Sequence, residues 1–366
     1  MNAPAALLVI RWLVRDTFRQ ARASGILWLM LAISVLSIAL CLSVRIEGDV
    51  PLTWDGTDRP EAIPRSYADR AAASVASLVA DGAVRSQGIL RVPVPVHPLE
   101  YQQVNAALRG NVPIIQGRLT LAFGAIAVDL SRDRLHAVRS IQCVLVGWVA
   151  DAAGLLLALL WTAGFLPVFL DPNAVVVLLA KPVPRWSLLA GKYIGVIAFV
   201  GFQAIVFVTG TWLALAISTG VWDPTYFLCI PLLLTHFAVF FSFSALLAAL
   251  TRSTVVSAFG SILFWLICYG MNYGRHKALG IADLQNLPRS FNFVIEMGYW
   301  LLPKPLDFHI ILVKTLQAED FVTQDVDTRL LVSLGAWSPE LSVLSSALFG
   351  VVILAFAAYE FVKEDY

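Results

Sequence analysis

The chain has 366 residues, of which 58% are hydrophobic and 14% are charged, and its mean hydropathy is +0.76. An ordinary soluble domain is about half apolar and about one quarter charged, so this composition predicts a polytopic membrane protein. The formal net charge of +1 provides no strong field for nucleic acid and excludes that class of partner. The cysteines at positions 41, 143, 229 and 268 all fall within or beside apolar runs, which argues against a disulfide framework or a zinc site.

The N-terminal stretch 1–24 predicts an interfacial helix on the cytoplasmic headgroups. Its arginines recur at helical spacing: Arg11, Arg15, Arg19 and Arg22. Residues 25–44 follow without a charged side chain, and that length suffices to cross a hydrocarbon core of about 30 Å. We interpret 25–44 as the first transmembrane span. A cleaved signal is the alternative, and the long arginine-rich stretch and the lack of an A-x-A site disfavour it.

Residues 45–140 are polar and rich in proline, and they predict a small α+β domain on the outer side of the membrane. Two helix-like stretches lie near 66–82 and 98–109, and residues alternate in polarity around 113–130, as strands do. The acidic, basic and histidine residues of this domain show neither zinc-ligand spacing nor a nucleophile elbow. We therefore interpret it as a solvated spacer or a lid.

Five further apolar segments predict spans at 141–170, 189–218, 226–250, 255–272 and 339–361. The last begins with the Ser338-Pro339-Glu340 helix start and leaves 362–366 as a cytoplasmic tail. With the first span, these predict an all-α polytopic membrane protein of six transmembrane helices. The small α+β extracytoplasmic domain lies between the first and second of them.

Residues 273–338 are of mixed polarity and contain two short apolar runs, at 291–302 and 306–316. Each run is too short to cross the membrane by itself, because a spanning helix needs about 20 residues. They predict outer-leaflet helices or a re-entrant pair.

Three ionisable residues within apolar stretches are candidates for intramembrane polar sites. Asp151 is hydrated at the outer interface if the second span begins near residue 150, and it lies inside lipid if that helix begins at 141. His236 either forms a structural hydrogen bond or marks a transport path, and its own span supplies no carboxylate partner. Glu296 lies in the first of the two short runs.

The short loops predict the orientation of the chain, because cytoplasmic loops carry an excess of Lys and Arg. The predicted loop at 171–188 contains Lys181 and Arg185, and the loop at 251–254 contains Arg252, whereas 219–225 has no basic residue. Both termini are therefore predicted to face the cytoplasm, in the cytoplasmic (inner) membrane.

A short cytoplasmic helix is predicted between the second and third spans. Asp171 can accept the free N–H groups at its start, and Pro172 suits the first helical position. The helix should stop near Ala180, because Pro182 disfavours helix in the residue before it. Beyond it, we expect Lys192 to extend its ammonium group back to the headgroups.

The string LLAKPVPRWSLLAGKYIG at 178–195 resembles a segment of ABC-2 type permeases, the membrane subunits of ATP-binding-cassette exporters. The resemblance implies that the short helix is a coupling helix that docks on a separate ATPase subunit. The implied coupling residues are Asp171, Pro172, Val175, Val176, Leu178, Leu179, Lys181, Pro182 and Arg185. The apolar members either bury against the ATPase or rest in the headgroup layer. The LLPKPLDF string at 301–308 also resembles a proline-containing stretch before the last span of this family.

The chain has no ATPase motif of its own. Its Gly191-Lys192 pair has Trp186 where a phosphate loop needs glycine and Tyr193 where it needs Ser or Thr. We therefore expect no cofactor in this chain, with ATP bound by a partner subunit. The resemblance implies an exporter permease that works as a homodimer or heterodimer in the lipid bilayer. The alternative is a membrane anchor or signal-transmitting component of an ATPase complex that moves no solute.

Overall fold

The computed structural model describes residues 3–47, 117–130, 134–169, 185–280, 289–318 and 337–363, and these are mostly helical. The first helices are α1 (Ala3–Ala23), α2 (Ile26–Leu42) and α3 (Arg134–Val144). A π-helical stretch, Leu145–Gly154, continues α3 into α4 (Leu155–Thr162) and α5 (Phe165–Phe169). The remaining helices are α6 (Arg185–Thr219), α7 (Cys229–Thr251), α8 (Thr254–Gly280), α9 (Arg289–Leu301), α10 (Pro305–Thr315) and α11 (Pro339–Lys363).

Within the described residues, five helical stretches are long and apolar enough to cross a membrane. They are Arg134–Phe169, Trp186–Thr219, Pro224–Thr251, Thr254–Ala278 and Pro339–Lys363. A sixth arises if α1 and α2 count together, although they meet at a bend of 74°. Gly25 makes this bend with a φ of 78°, a left-handed conformation that glycine adopts without steric cost. The bend falls at the boundary predicted between the interfacial helix and the first span.

The chain divides into two units, and the smaller comprises 39–139 and 213–223. It contains a three-stranded antiparallel sheet in the order β1 (Arg45–Glu47), β2 (Gly117–Leu121) and β3 (Ile126–Leu130). In the register of this sheet, Ile46 pairs with Leu119, which in turn pairs with Val128. β2 and β3 lie where the alternating pattern predicted strands, whereas the helix-like stretches at 66–82 and 98–109 fall outside the described residues.

The larger unit comprises 1–38, 140–212 and 224–366, and α7 lies at its centre. α7 packs most extensively on α11 and also contacts α8, α4 and α10. Aromatic rings fill this core: Phe241 stacks on Tyr193 of α6 at 5.4 Å between ring centroids, and the Tyr193 hydroxyl donates to the backbone oxygen of Ala238 at 2.7 Å. The buried phenyl groups of Phe199 and Phe240 belong to the same cluster.

The amphipathic helix α1 packs directly on the start of α6. Gly191 and Gly195 make this approach close, because a Cβ at either position would collide with Leu13 or Thr17 of α1. Lys192 is 1% exposed, and its Nζ donates to Asp16 Oδ2 at 3.0 Å and to the side-chain oxygen of Gln20 at 2.8 Å. The expectation that Lys192 extends to the headgroups is therefore wrong, because α1 covers the lysine and supplies its acceptors.

Candidate functional site

The predicted coupling segment lies mainly outside the residues that the structure describes. This applies to Asp171, Pro172, Val175, Val176, Leu178, Leu179, Lys181 and Pro182. Arg185 is described only by its backbone, as the first residue of α6. The coupling assignment therefore remains a prediction from the sequence.

Two short helices, α9 and α10, are present where two short apolar runs predicted them. Only Leu302, Pro303 and Lys304 separate them, and Pro305 occupies the first turn of α10, where its missing N–H costs no hydrogen bond. α10 packs against α7, α8 and α11, and α9 packs against α8 and α11. The pair therefore packs against three of the apolar helices.

Asp307 joins these helices through a set of hydrogen bonds that we call the Asp307 cluster. Its side chain is completely buried. Oδ1 accepts from Asn272 Nδ2 at 3.0 Å and His276 Nε2 at 2.8 Å, both on α8. Oδ2 accepts from the Tyr299 hydroxyl of α9 at 2.7 Å and from the Ser342 hydroxyl of α11 at 2.6 Å. One carboxylate on α10 thus ties together four helices.

The hydrogen-bond donors around Asp307 favour its ionised carboxylate. Burial alone would raise its pKa, but hydrogen bonds from His276, Ser342 and Asn272 hold the pKa below its ordinary value. Its backbone N–H also donates to Asn272 Oδ1 at 3.1 Å. Because both carboxylate oxygens already accept two hydrogen bonds, the arrangement suits a positioning role better than proton transfer or ligand binding.

Two cations of this region lie against the Tyr299 ring. Lys304 Nζ lies 4.7 Å from the ring centroid and donates to the Ser345 hydroxyl at 2.6 Å. Burial lowers the pKa of Lys304 to about 8, although the charge of Asp307 opposes that shift. The Arg275 guanidinium lies 3.9 Å from the same centroid, and its Nε donates to Glu296 at 2.9 Å. Glu296, a predicted intramembrane candidate, is an ion-pair partner with a side chain that is 43% exposed.

The other two candidates, Asp151 and His236, form a buried pair. Asp151 lies in the π-helical stretch and His236 in α7, and the distance between Oδ1 and Nδ1 is 2.5 Å. Asp151 is 4% exposed and His236 is 1% exposed. Phe308, next to Asp307 in α10, stacks on the imidazole with a centroid distance of 4.6 Å and an interplanar angle of 1°.

This geometry corrects the hydrated interpretation of Asp151. The helix that contains it begins at Arg134, so the carboxylate lies well inside a continuous helical segment and is enclosed by protein. His236 has no carboxylate partner in its own span, and the carboxylate that it contacts, Asp151, belongs to a different span. Sequence inspection could not find this partner, because 85 residues separate the two.

The Asp307 cluster was missed at the sequence level, although a usable signal was present. Asp307 lies within an apolar run in the same manner as Glu296 does. Asn272 likewise ends a predicted span. In the part of the chain that the structure describes, no group of three His, Cys, Asp or Glu side chains could hold a metal ion.

The family model described as ABC-2 family transporter protein matches residues 11–366. The chain belongs to the ABC-2 transporter family. The match extends from within α1 to the C-terminal end, and it includes the 178–195 string. A comparison with curated proteins found no match. As a member of the ABC-2 family with five or six apolar helices able to span a membrane, the chain is a multi-pass membrane protein.

Proposed function

We propose that this chain is the permease subunit of an ABC transporter that exports a substrate of unknown identity. Two such subunits, identical or related, form the path, and a separate ATP-binding-cassette ATPase drives them. The observation that carries the proposal is the family match over 11–366, together with the coupling-type string at 178–195. The apolar helices supply the membrane-embedded body that a permease needs.

In this proposal, the chain crosses the cytoplasmic membrane six times, and both termini face the cytoplasm. Basic residues at the N-terminus, at Lys181 and Arg185 and at Arg252 support this orientation, as does their absence from 219–225. The α+β domain between the first two spans then lies outside the cytoplasm.

Cysteine labelling tests the orientation. We expect a membrane-impermeant thiol reagent to label Ala80→Cys in intact cells and to leave Ala3→Cys unlabelled. The chain without added cysteine is the control, because its four native cysteines are buried. Labelling of position 3 in intact cells would contradict the topology.

The described contacts suggest how a displacement of the coupling segment is transmitted to the membrane helices. The segment leads into α6 at Arg185, and two turns later Lys192 is hydrogen-bonded to Asp16 and Gln20 of α1. A displacement of the start of α6 therefore also moves α1. ATPase closure would move both helices as one body.

The coupling test replaces Val176 and Leu179 with Glu. A few hundred Å² of apolar surface buried against the ATPase contributes several kcal/mol at about 25 cal/mol per Å², and about 1.4 kcal/mol corresponds to a tenfold change in affinity. We expect the double variant to lose ATPase copurification by at least about 100-fold.

The matched control is Val176→Ile with Leu179→Ile, which keeps the surface apolar and should retain the ATPase. Both variants should insert normally, because neither position lies in a predicted span. A double Glu variant that retains a stoichiometric, active ATPase would contradict the coupling assignment.

A further inference from the structure

The larger unit contains a half-open cavity of about 270 Å³ that belongs neither to the Asp307 cluster nor to the predicted coupling segment. It lies among α2, the π-helical stretch, α4, α6 and α7. Its walls are mainly apolar and include Met30, Ile33, Trp161, Val200, Phe207 and Phe237. An apolar cavity of about 150 Å³ already holds a benzene molecule. The volume and the walls therefore suit a short hydrocarbon chain.

One wall carries an amide oxygen without a partner. Gln203 lines the cavity and is 7% exposed. Its Nε2 donates to the Ser34 hydroxyl at 2.8 Å, and that hydroxyl in turn donates to the backbone oxygen of Met30 at 3.2 Å. Its Oε1 is buried and accepts no hydrogen bond from any described residue. A ligand that donates a hydrogen bond to Gln203 Oε1 would satisfy this oxygen, which is unfavourable to bury without a donor.

Asp151 is the one charged residue among those that line the cavity. Its Oδ1 contacts His236 Nδ1 at 2.5 Å. His236 Nε2 is also buried without a partner among the described residues.

We propose that this cavity binds an amphiphile with a short hydrocarbon chain and a protonated primary amine. The chain occupies the apolar walls, and the ammonium group lies toward Asp151 and Gln203. An ammonium group has three donors and no acceptor, which matches a carboxylate and an unpartnered amide oxygen. A carboxylate ligand would be repelled by the carboxylate of Asp151, and an alcohol offers only one hydrogen-bond donor and no charge. The site is a property of this chain alone and does not depend on the proposed export.

The test measures binding of n-octylammonium to the purified full-length chain in lipid nanodiscs, without an ATPase. Calorimetric titration into empty nanodiscs of the same lipid supplies the reference for partition into the bilayer. We expect saturable binding of one octylammonium per chain. Octanol and octanoate, which have the same chain length, should bind at least about tenfold more weakly, because each loses the charge-assisted contact.

Variants locate the site. We expect Asp151→Asn to weaken octylammonium binding at least about tenfold and to leave octanol binding unchanged. Ala204→Phe should block both ligands, because Ala204 lines the cavity. Glu296→Gln is the matched control, since it removes a carboxylate that does not line the cavity, and it should bind as the unsubstituted chain does.

Three results would overturn the proposal. They are a signal no larger than that of empty nanodiscs, equal affinity for octylammonium and octanol, and unchanged octylammonium affinity in Asp151→Asn. The comparison among the three ligands needs no variant, so it tests the proposal even if Asp151→Asn fails to fold. Loss of ATPase docking in the coupling test would leave this result unaffected, so the two proposals fail separately.

Discussion

Replacement of Asp307 by Ala is expected to destabilise the protein strongly. The substitution removes the acceptor of four side-chain donors on α8, α9 and α11. Each donor is then left buried next to a small apolar methyl group. α10 also loses its hydrogen bonds through this carboxylate to all three of these helices.

The expected loss of unfolding free energy in Asp307→Ala follows from the four hydrogen bonds. Hydrogen bonds between membrane helices average about 0.6 kcal/mol each, which sets a lower value of about 2 kcal/mol. Removal of one partner from a buried charged arrangement costs about 3 to 5 kcal/mol, because it leaves desolvated groups unpaired. We therefore expect the free energy of unfolding to fall by about 2 to 5 kcal/mol. Asp307→Asn, which keeps the volume but loses the charge, should also cost more than about 1 kcal/mol.

The assay is unfolding of the full-length chain in mixed micelles by titration with dodecyl sulfate, followed by far-ultraviolet circular dichroism. Glu296→Gln is the control, because its side chain is 43% exposed and a glutamine oxygen can still accept the hydrogen bond from Arg275 Nε. A double-mutant cycle with Tyr299→Phe should show a coupling energy of at least about 0.5 kcal/mol. An Asp307→Ala variant no less stable than Glu296→Gln would refute the positioning role of the cluster.

Two further predictions concern the buried lysines. Asp16→Ala should destabilise the protein more than Lys192→Met does. Asp16→Ala leaves a lysine that is 1% exposed without its carboxylate, whereas Lys192→Met leaves an aspartate that is 43% exposed. Equal losses of unfolding free energy in the same dodecyl sulfate titration would contradict this asymmetry. Lys304 has a folded-state pKa of about 8, below its ordinary value of 10.5, so between these values the unfolded chain holds a proton that the folded chain has released, and stability rises with pH. The melting temperature of the unsubstituted chain should therefore rise relative to that of Lys304→Met between pH 7 and pH 10, and parallel pH profiles would show that Lys304 is not perturbed.

The sequence by itself determined which segments are helical and apolar enough to cross a membrane. Span length, charge and proline positions are local properties, so the 189–218, 226–250 and 339–361 segments agree with α6, α7 and α11 to within a few residues. The coupling-type string at 178–195 likewise indicated the family that the match over 11–366 shows, because a motif of this kind is contiguous in the chain.

Only the tertiary structure decided which polar side chains meet. Hydropathy specifies that a segment is buried in an apolar environment, but it does not specify which way each side chain points or what lies opposite. Lys192 finds Asp16 across 176 residues, and Asp307 finds Ser342 across 35. A buried charge is stable only where such partners converge. The helix packing that brings them together therefore turned Lys192 from a predicted headgroup contact into a buried lysine that pairs with Asp16, and it made Asp307 the point where four helices are joined.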